Sequence, residues 1–239
     1  MTTSNWELTQ THDLTYMITD FDISMFNRVI RTRLTPEKAD RRIREMISLY
    51  SSRGKGFMWM TSPKDAPHDL AVRLENAGMK RDDTPGMAAE LSQIKLTGIP
   101  EGLEVERVEG LDRLELYCDI MIRGYPLPDS IAGDWTRMMI KMGVDDSLRH
   151  YIGHLDGEPV ATSTILLSDG VAGLYMVATL PEARGKGVGS YMTVYPFKEA
   201  EREGYNFGIL HSTRMGYSVY RRLGFQDSCT MVGYEWNPT

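Results

Sequence analysis

The chain has 239 residues, and its 41% apolar content can supply a substantial core in a protein longer than one average domain. Its net charge is −6, with most of the negative charge in residues 99–239, which argues against a nucleic-acid partner because such partners need a basic face. The chain has no apolar run of about 18–20 residues, no signal peptide, two cysteines and five scattered histidines. We therefore expect a cytoplasmic protein with no membrane partner, no metal ion and no disulfide framework.

The first part of the chain, residues 1–98, mixes helical and strand patterns, and Pro36 suits the first position of a helix. The segment Arg53–Gly56 has the composition of a phosphate-binding turn, but it precedes a strand instead of following one. Its amides therefore do not converge, and the segment is predicted to be a surface turn. The predicted helices are Ile23–Val29, Glu37–Tyr50 and Asp69–Met79, and the predicted strands are Gly56–Met60 and Gly86–Leu91.

The turn-rich segment 96–102 marks the predicted boundary between residues 1–98 and residues 99–239. Periodicity then predicts six strands and four helices. The strands are Leu103–Val108, His150–His154, Pro159–Leu167, Gly173–Leu180, Asn206–Ser212 and Cys229–Trp236. The helices are Leu111–Ile122, Ile131–Met142, one that begins at Ser190, and Met215–Phe225. Their order is β-α-α-β-β-β-α-β-α-β. Asp156-Gly157 predicts a tight hairpin, and Pro196 is expected to kink or end its helix.

The most informative stretch is Pro181–Gly189, which follows an apolar strand and precedes a helix. A strand, a glycine-rich turn and a helix N-terminus gather several backbone N–H groups at one point, where the helix dipole is positive. Gly187 and Gly189 permit a close approach to the backbone, and Arg184 and Lys186 add positive charge. This arrangement predicts a site for a phosphorylated ligand. A structural turn with solvated charges is the alternative.

Spacing excludes two common nucleotide-binding motifs. A P-loop needs Ser or Thr after its Gly-Lys pair, but Gly185-Lys186 is followed by Gly187. A dinucleotide fingerprint starting at Gly185 needs a third glycine where Ser190 stands. What remains is the pattern Arg-x-x-Gly-x-Gly at residues 184–189.

A second motif lies about 30 residues later, where Tyr220 is followed after three residues by Gly224-Phe225 and Gly224 suits a helix C-cap. In this order and spacing, the two motifs resemble the GNAT (Gcn5-related N-acetyltransferase) superfamily over roughly residues 100–239. The resemblance implies an α/β (α+β) GNAT fold, with a mixed, mostly antiparallel central sheet flanked by helices. It also implies a tandem arrangement, with a smaller, degenerate GNAT-like half at 1–98 and a catalytic domain at 99–239.

The resemblance further implies acetyl-CoA as the co-substrate. The strand before the glycine loop would bond the pantetheine through its backbone, and the loop would hold the pyrophosphate. The implied cofactor contacts are Val177, Ala178, Thr179, Arg184, Gly185, Lys186, Gly187, Val188, Gly189, Ser190, Ser212 and Tyr220. Tyr220 matches the family's general acid, which protonates the departing CoA thiolate. A core aromatic on an amphipathic helix is the alternative for this residue.

The general base and the acceptor site are open to more than one interpretation. An alkylammonium must lose a proton before attack, and His211 has a suitable ordinary pKa, although a packed histidine or a chain of waters fits equally. Asp129 and Asp134 are candidates for holding a cationic amine, with solvated loop charges as the alternative. Tyr125 is a candidate for lining the same cavity.

Together these residues predict an N-acetyltransferase that moves an acetyl group from acetyl-CoA to a primary amine of a small molecule, by direct attack in a ternary complex. A protein N-terminus or a lysine is an alternative acceptor. A non-catalytic acyl-CoA-binding regulatory module is an alternative of a different class, and the presence of Tyr220 favours the enzyme. The expected assembly is a monomer or a homodimer.

Overall fold

The architecture of the protein comes from a computed structural model, which describes residues 6–95, 98–125 and 128–238, apart from the side chain of Asp129. Residues 96 and 97 of the predicted boundary segment therefore lie outside the described residues. The strands are β1 (Glu7–Gln10), β2 (Thr15–Ile18), β3 (Arg28–Ile30), β4 (Phe57–Thr61), β5 (Lys80–Glu90), β6 (Leu103–Arg107), β7 (Leu148–Leu155), β8 (Glu158–Ser168), β9 (Val171–Thr179), β10 (Phe207–His211) and β11 (Gln226–Trp236). The α-helices are α1 (Pro36–Ser51), α2 (Leu70–Asn76), α3 (Leu111–Gly124), α4 (Ala132–Met142), α5 (Val188–Arg202) and α6 (Arg214–Leu223).

The predicted element order of the second half is confirmed, as β6-α3-α4-β7-β8-β9-α5-β10-α6-β11. The hairpin at Asp156-Gly157 is also confirmed, because its φ values of 54° and 84° are the two positive angles that a type I′ turn requires. Asp169-Gly170, between β8 and β9, has φ values of 49° and 77° and forms a second turn with both angles positive. These two turns set the antiparallel pairing of β7, β8 and β9.

Helix α1 shows how local pattern and packing agree. Pro36 occupies its first turn, where a missing N–H costs nothing. Its buried residues are Ala39, Ile43, Met46 and Tyr50, whose spacing of three or four places them on one face. The turn after it contains Arg53–Gly56 and leads into β4, which confirms the predicted surface turn.

The predicted helix Ile23–Val29 is wrong. The structure has a short 3₁₀ turn at Ser24–Phe26, followed by strand β3. The cause is the fully buried side chain of Asn27, which accepts a hydrogen bond from the Thr19 amide at 2.7 Å and donates to the Phe21 carbonyl at 3.1 Å. These bonds tie the segment to an upstream loop, so its backbone cannot continue as a helix.

Pro196 is expected to kink or end its helix, and the end does not occur, since α5 continues to Arg202. A kink at Pro196 stays a prediction. Pro196 removes one backbone donor. However, Met192, Val194 and Phe197 are all buried in the core beside it. The packing of this apolar face stabilises the helix more than the one missing hydrogen bond destabilises it, as is usual for helices in a protein core.

Packing divides the chain into two compact units, one formed by residues as far as Thr84 together with those from Thr230, and the other by Pro85–Cys229. These ranges differ from the predicted halves because Gly86–Glu90 of β5 pairs with β10, and Val232–Trp236 of β11 pairs with β4. The assignment of 1–98 as a degenerate half and 99–239 as a catalytic domain stays a prediction.

In the first unit, β1, β2 and β3 pair antiparallel in sequence order, β3 pairs parallel with β4, and β4 pairs antiparallel with the end of β11. The core of this unit includes the buried aromatic side chains of Tyr50, Phe57, Trp59 and Tyr234. Tyr50 stacks on Phe57 with ring centroids 4.2 Å apart.

The second unit contains both sequence motifs. Its strands pair in the order β5-β10-β9-β8-β7-β6, and only β9 and β10 among them are parallel. Helix α5 packs on β8 and β9, and its Phe197 lies over Gly208 of β10. Helix α3 contacts β7, β8 and β9, and α4 packs against α3. The mixed, mostly antiparallel sheet with flanking helices confirms the predicted fold class.

Candidate active site

The strands β9 and β10 lie side by side for only part of their length. Among the described residues they pair from Val171–Leu174 to Phe207–Leu210, and the pairing stops there. On its other side β9 remains paired with β8 as far as Thr179. Residues Met176–Thr179, which we call the free edge, therefore have no strand partner on the β10 side among the residues that the structure describes. An extended ligand with amide groups can bond to such an edge as another strand would.

The free edge contains a β-bulge. Thr162 of β8 faces Ala178, and Thr164 faces Tyr175, so Met176 and Val177 together oppose a single residue, Ser163. Met176 has a φ of 52°, in the left-handed region that non-glycine residues rarely adopt. A bulge of this kind bends its strand and takes backbone groups out of the regular ladder. It gives a local reason for the strand to turn away from β10.

The glycine-rich loop lies directly after the free edge. Pro181–Ala183 forms a 3₁₀ turn, and Gly187 then caps α5 with a φ of 84°, a conformation that favours glycine. The amide of Tyr191 donates to the Gly187 carbonyl at 3.1 Å as the first bond of the helix. The amides of the first turn, which include Val188, Gly189 and Ser190, consequently have no helical acceptor and can bind an anion.

The approach between the loop and the free edge is close. A Cβ at Gly189 would lie 3.2 Å from the Thr179 hydroxyl, so a side chain there would crowd the start of the helix. Arg184 folds back and donates to the Thr179 carbonyl and to the Gly124 carbonyl, each at 3.0 Å. Arg184 thus joins the end of α3 to the end of β9, while Lys186 is exposed. Binding of a phosphate by either cation stays a prediction.

Tyr220 lies on α6, half-buried between three neighbours. Its ring covers Gly216, where an added Cβ would come within 2.6 Å of the ring, and it meets Phe225 edge-on with centroids 6.3 Å apart. Burial raises the pKa of the Tyr220 hydroxyl, and the nearby Tyr125 adds to the rise. The hydroxyl therefore keeps its proton at neutral pH, as an acid must.

Both ends of α6, the helix that carries Tyr220, are capped. The Thr213 hydroxyl caps the helix by accepting a hydrogen bond from the Gly216 amide at 3.2 Å. Gly224 ends the helix with a φ of 107°, which confirms the predicted glycine cap. The structure thus brings two predicted site residues, Tyr220 and Tyr125, close enough together that Tyr125 adds to the rise in the pKa of Tyr220.

His211 and Ser212 lie at the end of β10, just beyond the point where β9 and β10 part. His211 is exposed, and its ring meets the Tyr175 ring edge-on with centroids 6.5 Å apart. Ser212 is buried, and its hydroxyl donates to the Thr213 carbonyl at 2.9 Å. His211 therefore stands beside the free edge, whereas the Ser212 hydroxyl already has a bond within the protein.

The predicted acidic acceptor residues differ in their surroundings. Asp134 forms an ion pair with Arg137, one turn further along α4. The side chain of Asp129 lies outside the described residues, and its role in holding an amine stays a prediction. Tyr125 follows α3 and is largely shielded from solvent, which raises the pKa of its hydroxyl.

The sequence interpretation missed a set of buried polar residues beneath the bulge. Tyr117, His150, Thr162 and Thr164 are each no more than 2% exposed. Burial lowers the pKa of His150 to about 4, so its imidazole is neutral at pH 7. A signal was present in the predicted strands, where His150 is followed by Tyr151-Ile152 and the polar run Thr162–Thr164 stands between Val160-Ala161 and Ile165-Leu166. Polar residues at such positions need hydrogen-bond partners.

Two further findings concern the described residues as a whole. Their helices include none that is both long enough and apolar enough to span a membrane. No group of three or more His, Cys, Asp or Glu side chains among them is placed to hold a metal ion. The cytoplasmic location and the metal-free site stay predictions.

Comparison with known proteins agrees with this geometry. The family model of the acetyltransferase (GNAT) domain matches residues 170–227, which run from the start of β9 to the start of β11. A search of curated protein sequences finds no match. The structure is similar to that of a GCN5-related N-acetyltransferase from Kribbella flavida, with 20% identity over 98% of this chain and 90% of that one and a TM-score of 0.72.

Two other solved structures are similar. A GCN5-related N-acetyltransferase from Sphaerobacter thermophilus has 17% identity over 94% of this chain and 80% of that one, with a TM-score of 0.66. A tandem GNAT protein from the clavulanic acid biosynthesis pathway has 14% identity over 94% of this chain and 78% of that one, with a TM-score of 0.65. The shared architecture shows that the chain has the GNAT fold, and within it residues 170–227 match the model of the GNAT acetyltransferase domain.

Proposed function

We propose that the protein is an N-acetyltransferase that transfers an acetyl group from acetyl-CoA to a primary amine of a small molecule, by direct attack in a ternary complex. The observation that carries this proposal is the parting of β9 from β10 after Leu174, next to the unpaired amides that begin α5. An edge for an amide-containing chain and a site for an anion thus lie in sequence order on adjoining elements.

The residues present fit two parts of acetyl-CoA, the pantetheine arm and the pyrophosphate. Backbone groups of Val177 and Thr179, on the free edge, would bond the pantetheine amides. The amides of Gly185–Ser190 would hold the pyrophosphate, for which the absence of a side chain at Gly189 leaves room. The similarity to a tandem GNAT protein supports the further proposal that the first half of the chain is a degenerate copy.

The chain's own groups can then assist acetyl transfer. Acetyl-CoA supplies the acetyl group as a thioester. Backbone N–H groups on the free edge would stabilise the negative charge that develops on the acetyl oxygen. The Tyr220 hydroxyl would donate its proton to the sulfur as the carbon–sulfur bond breaks, and its raised pKa keeps it protonated until that step. His211 or a water would take the proton that the amine loses.

Of the two acidic residues predicted to hold a cationic amine, the one whose side chain is described already has a partner within the protein. Asp134 forms an ion pair with Arg137, so its carboxylate already has a cationic partner other than a substrate ammonium group. His211 and Tyr175 are exposed beside the free edge and leave the acceptor a route to it. We therefore propose that the amine arrives as the neutral base and contacts aromatic and imidazole groups more than carboxylates.

The test is an acceptor panel with release of CoA thiol as the readout. The panel contains small primary amines, their tertiary analogues, and peptides with a free N-terminus or a lysine. We expect release above background hydrolysis with at least one small primary amine, and none with its tertiary analogue, which has no proton to lose. Release with peptides only would favour the protein acetyltransferase. Binding of acetyl-CoA without release by any acceptor would favour the non-catalytic module.

A further inference from the structure

A continuous line of buried polar side chains runs from β7 through β8 to the bulge in β9. His150 Nδ1 lies 2.7 Å from the Thr164 hydroxyl, which lies 2.5 Å from the Tyr117 hydroxyl. The Tyr117 hydroxyl in turn lies 3.4 Å from the sulfur of Met176. The rings of Tyr117 and His150 are also in contact, with centroids 4.8 Å apart. This line of contacts ends on the residue at which the β9 backbone is irregular.

The backbone of the same residue is held separately. The Thr162 hydroxyl donates to the Met176 carbonyl at 3.1 Å, across the bulge from β8. Thr162 is fully buried, so this bond has no competition from solvent. Both the side chain and the carbonyl of Met176 are therefore fixed by buried hydroxyl groups on neighbouring elements.

Met176 is a residue that needs such support. Its φ of 52° is unfavourable for a side chain with a Cβ, and a residue stays in this region only where its surroundings hold it. Met176 immediately precedes Val177, the first residue of the proposed pantetheine contact. The conformation of Met176 sets the directions of the N–H and C=O groups on either side of it.

We propose that Thr162 and Tyr117 are positioning residues for acetyl transfer, which fix the bulge at Met176 and so aim the backbone N–H of Val177, which points away from the Met176 carbonyl in the same planar peptide, at the acetyl thioester. Both side chains are fully buried, so the proposed role acts through the backbone of β9 and not through contact with a substrate. The inference rests on the proposed function for its effect on rate. Its effect on the rigidity of the bulge is independent of that function.

Three variants separate this role from ordinary packing. Thr162→Val removes the hydroxyl and keeps the shape of the side chain, whereas Thr162→Ser keeps the hydroxyl. Tyr117→Phe removes only the hydroxyl, and with it the contacts with the Thr164 hydroxyl and the Met176 sulfur. The matched control is Tyr50→Phe in the first unit, since Tyr50 is also fully buried and its hydroxyl donates to the Met17 carbonyl at 2.8 Å.

Turnover and acetyl-CoA binding are measured on the full chain with the acceptor found in the amine panel. We expect kcat to fall about tenfold in Thr162→Val and in Tyr117→Phe, because small misplacements of reacting groups slow a reaction strongly. The KM for acetyl-CoA should stay within about twofold of wild type, since the phosphate site is untouched. Thr162→Ser should restore kcat, and Tyr50→Phe should lower the melting temperature without lowering kcat.

Hydrogen exchange of the peptide that covers residues 174–180 gives a readout that needs no activity. We expect faster exchange there in Thr162→Val and Tyr117→Phe, and wild-type exchange in Tyr50→Phe. Wild-type kcat together with wild-type exchange in Thr162→Val would overturn the positioning role. A kcat loss no larger than that of Tyr50→Phe would also overturn it. An inactive wild-type protein would instead overturn the proposed function, and exchange would still decide whether the hydroxyls fix the bulge.

Discussion

At the scale of single residues, the surroundings of Tyr220 are compatible with a general acid. Gly216 and Phe225 hold its ring, and the raised pKa keeps its hydroxyl protonated. These observations also fit a tyrosine that only packs, because burial alone raises a phenol pKa. The two interpretations differ in what the loss of the hydroxyl does to the rate.

Tyr220→Phe keeps the ring and removes the hydroxyl, so the free energy of unfolding should change little. If Tyr220 protonates the departing thiolate, kcat should fall by roughly 10²-fold, which is the usual contribution of a positioned acid. Acetyl-CoA affinity, measured by calorimetry, should stay near wild type. The acetyl-transfer rate is measured with the amine from the panel, under conditions where chemistry limits turnover.

Tyr217→Phe is the matched control for this prediction. Tyr217 lies on the same helix, and its hydroxyl donates to Asp227 at 2.7 Å in an exposed position. The control should keep wild-type kcat. If Tyr220→Phe turned over as fast as the control, Tyr220 would have only a packing role.

At the scale of elements, the glycine loop and α5 carry the phosphate prediction. Gly187 and Gly204 stand at opposite ends of this helix with φ values of 84° and 93°. A side chain is therefore conformationally unfavourable at both positions, but only Gly187 adjoins the amides proposed to bind pyrophosphate. The pair makes it possible to separate backbone strain from loss of the anion site.

Gly187→Val should raise the KM for acetyl-CoA at least tenfold, a loss of at least about 1.4 kcal/mol of binding free energy. The reason is that a branched side chain blocks the approach of phosphate to the first turn of α5. Gly204→Val should cost similar stability and leave the KM unchanged. Calorimetry that finds wild-type acetyl-CoA binding in Gly187→Val would contradict the phosphate assignment.

At the scale of the whole molecule, the proposed site residues whose positions are described all lie in the unit formed by Pro85–Cys229. The first unit has no comparable combination among its described residues. Helix α2, which follows β4, has only seven residues, and the Asp65 carboxylate accepts from the Ser62 amide at 2.7 Å in the loop between them. The loop after β4 therefore carries a carboxylate where a glycine-rich, anion-binding loop would be needed.

We therefore predict that labelled CoA binds one site per chain, as measured by equilibrium dialysis at saturating ligand. Gly187→Val should abolish this binding or weaken it in parallel with its effect on the KM. Two equivalent sites per chain would show that residues 1–98 form a working domain. One site that Gly187→Val leaves intact would place CoA somewhere other than the glycine loop.

The sequence by itself determined the features that depend on neighbouring residues. The buried face of α1, the Asp156-Gly157 hairpin, the glycine cap of α6 and the strand-loop-helix order around Gly187 all follow from local periodicity and turn chemistry. Each of these signals lies within a few residues along the chain, where backbone geometry imposes it. Local patterns predicted the elements in this way, whereas the GNAT topology was implied by the resemblance of the two motifs to that superfamily.

Only the tertiary structure decided features that depend on distant partners. The segment around Asn27 is not helical, because the Asn27 side chain forms hydrogen bonds with Thr19 and Phe21. Pro196 lies within α5, because its neighbours pack in the core. The parting of β9 from β10 and the bulge at Met176 depend on the register of three strands. Local patterns specify which side chains are buried, whereas register and hydrogen-bond partners are settled only when separate segments meet.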